Sequence, residues 1–182
     1  MTSVVVIGAG QAGLAVSHEL SEHGVDHVVL ERRRVGQSWR DRWDSFRLVT
    51  PNWTMRLPGS CYAGEDPEGF VSRDEIVEYL ERYAAGFGAP VNEGVGVDGL
   101  EPGSASRFLL RTTAGDMQAH SVVVCSGAYQ RPHRPDGADT LPPGVLGIDA
   151  EDYRNPAALP PGRVLVIGSG QKGMDKVSTL RW

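Results

Sequence analysis

Residues 4–13 read Val-Val-Val-Ile-Gly-Ala-Gly-Gln-Ala-Gly, an apolar run that leads directly into the pattern G-x-G-x-x-G. The run Val4–Ile7 is too short and too uniformly apolar to be one face of a helix, so it predicts a buried strand. A helix is predicted over Gln11–His23, with Gly24 as its stop. Its apolar side chains recur at helical spacing: Ala12, Ala15, Val16 and Leu20. A second strand at His27–Leu30 completes a β-α-β unit.

Each glycine of this pattern has a physical role. Gly8 permits the tight turn between strand and helix, and Gly13 lets the helix pack closely against the strand. Gly10 leaves room for a diphosphate to approach the backbone. The amide groups at the start of the helix, around Gln11 and Ala12, then face an anion together with the positive end of the helix dipole.

Glu31 closes the second strand, at the distance where a carboxylate accepts hydrogen bonds from a ribose diol. Because the pattern follows a strand, opens a helix and has this acid, we predict a dinucleotide site; the alternative is a glycine turn without a ligand. The basic residues Arg32, Arg33 and Arg34 could attract a 2′-phosphate, although Glu31 would repel one. A solvated turn is the simpler interpretation of that run, so FAD and NAD both remain open.

A second pattern of the same kind lies at residues 164–173, which read Val-Leu-Val-Ile-Gly-Ser-Gly-Gln-Lys-Gly. It predicts a strand at Val164–Ile167 and a second glycine turn at Gly168, Gly170 and Gly173. The predicted fold is therefore α/β, with a Rossmann-like cofactor-binding domain over residues 1–160 and the start of a second Rossmann domain over 161–182.

Composition narrows the function classes. The chain has 182 residues, a net charge of −5 and 40% hydrophobic residues, which suits a globular protein and argues against nucleic acid as a partner. No apolar run reaches membrane-spanning length, and a cytoplasmic location is expected. Cys61 and Cys125 form no CxxC pair, which argues against disulfide chemistry. No metal site is expected, because Gly24 interrupts any helix between His23 and His27.

The rest of the chain gives weaker signals. Residues 31–71 are predicted to be irregular, with aromatic side chains that suggest a packed loop over a ligand. A helix follows, with a capping box formed by Ser72 and Glu75. Its apolar stripe is Ile76, Leu80, Tyr83 and Phe87.

Beyond this helix, residues 91–120 suggest a small β-meander, and Val122–Cys125 a separate short buried strand. Residues 131–162 hold many of the prolines. We interpret this proline-rich segment as a linker to the second glycine pattern.

Several stretches, in order and spacing, resemble the N-terminal half of the flavin-containing monooxygenase-like flavoproteins. These are residues 4–13, 30–31, 36–39 (Gly-Gln-Ser-Trp), 43–53, 122–129, 153–156 and 164–173. The resemblance implies that the first glycine pattern binds FAD and the second binds NADPH. It also implies oxidoreduction, with monooxygenation as the expected activity and a small molecule of unknown identity as the substrate.

The resemblance also implies individual roles. Ser38 and Trp39 would lie near the flavin, Thr50–Asn52 would approach its ring system, and Ser126-Gly127 would form a glycine turn facing the cofactor. Asn52 is the only catalytic candidate, although it could merely stabilise a turn, and Trp39 could belong to the core. The predicted FAD-binding residues are Gly8, Gly10, Gln11, Ala12, Gly13, Glu31, Arg32, Ser38, Trp39, Ser126 and Gly127. The predicted NADPH-binding residues are Gly168, Gly170 and Gly173.

The chain also departs from the family pattern. Asp149 stands where the monooxygenase signature has a histidine, and only nine residues follow Gly173. We therefore expect a truncated or frameshifted relative with partial FAD binding, no competent NADPH site and little turnover. A dimer or a complementing C-terminal half are the expected partners. The alternatives are a non-catalytic FAD-binding fragment and a small NAD-dependent dehydrogenase.

Overall fold

The computed structural model describes residues 2–103, 107–128, 134–138 and 140–168. The strands are β1 (Thr2–Ile7), β2 (His27–Glu31), β3 (Arg56–Leu57), β4 (Ser60–Cys61), β5 (Val91–Glu93), β6 (Val97–Pro102), β7 (Phe108–Thr112) and β8 (Met117–Val124). The helices are α1 (Gln11–Glu22), α2 (Gln37–Arg40) and α3 (Arg73–Gly86), with short 3-10 turns at Asn52–Thr54 and Pro156–Ala158. No described helix combines the length and apolar character needed to cross a membrane.

The centre of the fold is a six-stranded sheet in the order β5-β2-β1-β8-β7-β6. The first four strands are parallel, and the last two are antiparallel to their neighbours. In the central strand, Val5 is paired with Val28 on one side and Val122 on the other. This arrangement confirms the predicted α/β class, with a parallel sheet and an antiparallel insertion.

The predicted boundaries of the insertion were wrong in two places. Val91–Glu93 does not belong to a meander but extends the parallel sheet beside β2, because α3 carries the chain back across it. The predicted separate strand Val122–Cys125 is the second half of β8, which pairs with β7 at Met117–Ala119 and with β1 from Ala119 to Val124. No glycine or proline lies between the two halves to break the extended backbone.

The two faces of the sheet bury different side chains. Val6 and Val29 face the cluster that includes the helices, and Val5 and Leu30 face the cluster formed with the antiparallel strands. This alternation follows the period of two in an extended chain, and both faces are covered as a parallel sheet requires.

The predicted capping box of α3 is present. The Ser72 hydroxyl accepts a hydrogen bond from the Glu75 amide, and the Glu75 carboxylate accepts one from the Ser72 amide. That backbone hydrogen bond from Ser72 lowers the pKa of Glu75. The predicted stripe of Ile76, Leu80 and Tyr83 is buried in the core, which fixes α3 against the sheet.

The predicted irregular segment 31–71 contains more structure than its sequence suggested. It forms α2 and the β3–β4 hairpin, and it buries Trp43 and Phe46 against the core while Trp53 stays half exposed. The short hairpin gave no clear alternation in the sequence, because two-residue strands are below the length at which period-two patterns are visible.

The predicted strand Val164–Ile167 does not form. Residues 163–168 are irregular, and Leu165 is 83% exposed. No described strand lies beside this segment to accept its backbone hydrogen bonds. The predicted linker 131–162 was also partly wrong, since Tyr153 is 8% exposed and belongs to the main core cluster. The predicted domain boundary at 160/161 stays a prediction.

Candidate functional site

A cleft of about 630 Å³ lies where the carboxyl ends of β1, β2 and β8 meet. From β1, the sheet continues to β2 on one side and to β8 on the other, so β1 lies at the point where the strand order changes direction. Open α/β sheets bind their ligands at such a switch point. The lining comes from five segments: Gly8, Gly10, Gln11 and Ala12; Glu31, Arg32 and Arg33; Gln37–Trp43 without Arg40; Cys125–Ala128; and residues 150–154 without Tyr153.

The first turn of the cleft is built on two glycines in close contact. Gly8 has φ of +104°, which favours glycine, and a Cβ there would lie 2.5 Å from the Cys125 carbonyl oxygen. A Cβ on Gly13 would lie 1.8 Å from the Gly8 carbonyl oxygen. Gly13 therefore packs α1 onto the turn and does not itself line the cleft, as its predicted role in helix packing requires.

The start of α1 is open toward the cleft. Gly10 is its N-cap, with ordinary extended φ of −84° and no side-chain capping hydrogen bond. A Cβ on Gly10 would meet nothing within 4 Å, so its absence enlarges the cleft and relieves no contact. The amides at Gln11 and Ala12 lie in the first helical turn, where intrahelical acceptors are missing. Such a terminus suits an anion.

Glu31 lies at the end of β2 and is 9% exposed. Its Oε2 accepts a hydrogen bond of 2.9 Å from the Ala9 amide, and its Oε1 accepts one of 3.0 Å from the Arg33 amide. The carboxylate is thus fixed beside the glycine turn. Each oxygen retains a further lone pair for a donor in the cleft.

The basic run after Glu31 is divided between structural and cleft-facing roles. The Arg33 guanidinium forms an ion pair with Asp41, and that of Arg34 pairs with Glu81. Arg32 lines the cleft. Within the described chain, Arg32 makes no ion pair with a carboxylate, so it is the member of the run that remains available to a ligand.

Trp39 and Arg42 form one wall. The Arg42 guanidinium lies 5.6 Å from the Trp39 ring centroid and 5.7 Å from that of Phe46, which is cation–π geometry. Its Nε is buried and has no hydrogen-bond partner in the part of the chain that the structure describes. Sequence analysis identified Trp39 but missed Arg42, whose only signal was a basic residue three positions later.

The segment 150–154, without Tyr153, also contributes to the lining of the cleft, and hydrogen bonds join it to the aromatic loop. The Asp44 amide donates to the Arg154 carbonyl at 2.9 Å, and the Asn155 side-chain amide donates to the Asp44 carboxylate at 2.6 Å. The Arg154 guanidinium also donates to the Asp41 carbonyl. The hydrogen bond from Asn155, followed by that from Arg73, lowers the pKa of Asp44. These contacts were missed because composition alone suggested a linker.

Ser38, Ser126 and Gly127 line the cleft. Cys125 also lines it, and burial raises the pKa of its thiol, so it is not an activated nucleophile. Cys61 and Cys125 are both free thiols. Asp149, at the position expected to hold the signature histidine, is outside the cleft lining and forms an ion pair with Arg134.

Asn52 is not part of the cleft. It is 3% exposed, its Nδ2 donates to the Asp66 carbonyl at 2.8 Å, and its Oδ1 accepts from the Val71 amide at 2.7 Å. Both ends of the amide are therefore engaged in holding the loop together. The geometry favours the structural interpretation of Asn52 over the catalytic one.

The remaining predicted site residues lie apart. Gly168 has φ of +112°, as a glycine turn requires, but it is not among the residues that line the cleft. Gly170 and Gly173 lie outside the described residues. The two histidines considered as metal ligands both form hydrogen bonds within the protein. His27 bonds to the Ser17 hydroxyl and the Val25 carbonyl, and His23 bonds to the Glu19 carbonyl.

Residues 5–180 match the sequence family described as pyridine nucleotide-disulphide oxidoreductase. The chain belongs to this family. It is 38% identical over 174 residues to an oxidoreductase described as CzcO-like from Geobacillus kaustophilus, covering 95% of this chain and 49% of that protein. It is 30% identical to the indole-3-pyruvate monooxygenase YUCCA1 of Oryza sativa subsp. japonica, covering 94% of this chain and 43% of that one.

Among solved structures, a mutant of the flavin monooxygenase from Stenotrophomonas maltophilia superposes with a TM-score of 0.83. It shares 26% identity and covers 98% of this chain and 55% of its own. These matches confirm the predicted resemblance to flavin-containing monooxygenase-like proteins. The chain spans about half the length of the curated relatives it matches.

Proposed function

We propose that this chain binds FAD in the cleft at the head of α1 and is the flavin-binding part of an NADPH-dependent oxidoreductase of the monooxygenase type. The observation that carries the proposal is the glycine turn with an open helix N-terminus, flanked by the fixed carboxylate of Glu31. The volume of the cleft, about 630 Å³, lies within the range of pockets that hold organic ligands.

The described residues fit the adenosine diphosphate part of FAD. A diphosphate would take the space beside Gly10, where it meets the amides of Gln11 and Ala12. A ribose diol would donate to the free lone pairs of Glu31, and Arg32 supplies a positive charge at the same end. With Arg33 already paired to Asp41, the basic run offers one available guanidinium near the ribose.

The aromatic end of the cleft fits the flavin. Ser38 and Trp39 line this end, and the Arg42 guanidinium lies over the Trp39 and Phe46 rings. When bound, the flavin would supply the electron-transfer chemistry, as cofactors of this kind do. The chain's own residues would bind it, orient it and limit its contact with water.

We assign NADPH binding, the substrate site and turnover to structure beyond the described cleft. The second glycine pattern at residues 164–173 is the NADPH candidate, and the strand expected at its start, Val164–Ile167, does not form among the described residues. We therefore propose that the described residues bind FAD, and that NADPH binding and turnover need further structure, which a complementing C-terminal half or a dimer partner would supply. The edge of β8 from Ser121 to Val124, opposite β1, has no strand partner among the described residues and would accept one.

The test is the absorption spectrum of the purified chain after incubation with FAD and removal of free cofactor. We expect flavin bands with the chain and loss of bound flavin with Gly10→Val, whose side chain would enter the diphosphate position. Glu22→Gln, at an exposed position near the end of α1, is the control.

Other outcomes would change the assignment. A colourless protein that binds NAD and not FAD would favour the small dehydrogenase. NADPH oxidation by the isolated chain at a flavoenzyme rate would contradict the proposal that turnover needs further structure. A chain that binds neither cofactor while folded would overturn the proposed site.

A further inference from the structure

Three consecutive arginines follow β2, and their side chains end in different surroundings. Arg32 lines the cleft and forms no ion pair with a carboxylate among the described residues. Arg33 also lines the cleft, but its guanidinium is paired with Asp41. Arg34 is not part of the lining and pairs with Glu81 of α3. Of the three, Arg33 is therefore the one that is both at the cleft and neutralised there.

The ion pair between Arg33 and Asp41 has the two-pronged geometry of a strong guanidinium–carboxylate contact. Nη1 of Arg33 donates to Oδ1 of Asp41 at 3.3 Å, and Nη2 donates to Oδ2. Paired hydrogen bonds of this kind fix the orientation of the guanidinium, and the opposite charge cancels its own. Asp41 therefore engages both terminal nitrogens of Arg33.

Asp41 is itself held in place by its neighbours. It is the C-terminal cap of α2, where its amide donates to the Gln37 carbonyl at 3.0 Å. The Gln37 side-chain amide donates to Oδ1 of Asp41, also at 3.0 Å. The Arg154 guanidinium donates to the Asp41 carbonyl. These contacts fix the carboxylate beside Arg33, and both residues line the cleft.

Arg33 also adjoins the acid that we expect to receive the ribose. Its backbone amide donates to Oε1 of Glu31 at 3.0 Å. In β-α-β units that bind dinucleotides, the acid at this position binds a ribose diol, whereas an arginine nearby accommodates a 2′-phosphate. This chain has both kinds of residue. Which nucleotide it accepts therefore depends on whether a second arginine presents a free charge.

The proposed reaction uses two dinucleotides that differ at this position. FAD has a free ribose diol, and NADPH has a phosphate on the 2′-oxygen of its adenosine. Two unpaired arginines would attract that phosphate. In this structure the two carboxylates, Glu31 and Asp41, balance the two arginines in the lining, so this end of the cleft has no excess positive charge for a further phosphate.

We infer that Asp41 is a specificity-determining residue, which pairs with Arg33 and thereby keeps the cleft selective for a dinucleotide with a free ribose diol over one with a 2′-phosphate. The inference rests on the proposed FAD site and adds the means by which that site excludes NADPH. The side chains of Arg33 and Asp41 are 48% and 34% exposed. A pair this accessible to water has a moderate effect, so the expected change in selectivity is moderate too.

The test compares ADP-ribose with 2′-phospho-ADP-ribose, which differ only in the added phosphate. Each probe competes with FAD for the purified 182-residue chain, and the change in flavin fluorescence reports displacement from the cleft. The parent chain should bind ADP-ribose more tightly. In Asp41→Asn, which keeps the shape and removes the charge, the relative affinity for the phosphorylated probe should rise about 3- to 10-fold. High salt should reduce this gain.

Further variants connect the gain to Arg33. Asp41→Ser, a second uncharged variant, should show the same gain. Adding Arg33→Gln to Asp41→Asn should remove it, because the freed guanidinium is the group that binds the added phosphate. Glu81→Gln is the matched control, since it deprives Arg34 of its carboxylate outside the cleft and should leave the ratio unchanged. A merely structural role of Asp41 would weaken both probes equally. Circular dichroism checks the fold of each variant.

The outcomes separate this inference from the proposed FAD site. Unchanged selectivity in folded Asp41→Asn and Asp41→Ser that still bind FAD would overturn the inference and leave the FAD site in place. A gain that survives Arg33→Gln would overturn it as well, because another residue would then bind the phosphate. So would a parent chain that prefers the phosphorylated probe. A folded parent chain that binds no FAD would overturn the proposed function, and this inference with it.

Discussion

The amide of Ala9 donates a 2.9 Å hydrogen bond to Oε2 of Glu31, which joins the first glycine turn to the end of β2. The carboxylate that would receive the ribose is thus also a structural acceptor for the turn that would receive the phosphates. Glu31 therefore links the shape of the turn to its ligand.

Replacing Glu31 should affect stability and binding together. Glu31→Ala leaves the Ala9 and Arg33 amides without this acceptor, and we expect the free energy of unfolding to fall by about 1–3 kcal/mol. FAD affinity should fall by about tenfold or more through the lost ribose contact. Urea unfolding and flavin fluorescence titration measure the two effects. Unchanged affinity in a folded Glu31→Ala variant would remove the ribose role.

Gly13 and Gly10 should respond oppositely to alanine. A Cβ on Gly13 would lie 1.8 Å from the Gly8 carbonyl oxygen, so Gly13→Ala should lower the free energy of unfolding by about 1–3 kcal/mol or more. A Cβ on Gly10 meets open space, so Gly10→Ala should fold normally and bind FAD less tightly. Urea unfolding of both variants, with flavin titration of Gly10→Ala, checks this pair. A stable Gly13→Ala would contradict the close packing.

Asn52 should act through the loop and not through the chemistry. Asn52→Ala deprives the buried Val71 amide and Asp66 carbonyl of their partner, and we expect a loss of about 2 kcal/mol in the free energy of unfolding. Ser45→Ala, at an exposed position in the same loop, is the control. If Asn52→Ala is as stable as Ser45→Ala but binds flavin differently, the site role returns.

Tyr83 should ionise at a higher pH than an ordinary tyrosine. Burial first, then Tyr79 and Glu19, raise its pKa to about 12. Because the folded pKa lies above the ordinary value of 10.0, the stability that the neutral phenol contributes is fully present below about pH 10 and is lost as the pH rises toward 12. Ultraviolet titration of the parent chain and Tyr83→Phe should show this highest step only in the parent. The assignment would be wrong if the highest step were present in both proteins or absent from both.

The contact between Asn155 and Asp44 should hold the cleft wall in place. Asn155→Asp keeps the oxygen that accepts from the Ala158 amide but replaces the donor to Asp44 with a second carboxylate. We expect the wall to loosen and FAD affinity to fall several-fold, because like charges repel at this distance. Asn155→Ser is the uncharged comparison. Flavin titration at low and high salt distinguishes charge repulsion, which salt screens, from loss of shape.

Local chemistry predicted the first β-α-β unit and the head of α1 well. Gly13 is required by its contact with the nearby Gly8 carbonyl, and Gly8 by the positive φ of the turn, so their spacing in the sequence contains most of the information. The capping box at Ser72 is similarly local. These features could be read from the sequence before any tertiary structure was considered.

Features that depend on distant segments could not be predicted in this way. The role of Asn52 is set by Asp66 and Val71, and that of Arg42 by two rings it meets only in the folded loop. The strand expected at Val164–Ile167 fails for the same reason, since a strand is stabilised by a neighbour and not by its own apolar pattern.

Tyr153 is buried in the core while its neighbours Glu151, Asp152 and Arg154 face the cleft. The backbone that leads toward the second glycine pattern is therefore anchored at the same place where the cofactor would be enclosed. A ligand that orders this segment would therefore also restrict the direction in which the following chain leaves. Because coupling between two equilibria is reciprocal, a domain that docks onto that chain would raise the affinity for the ligand by the same factor.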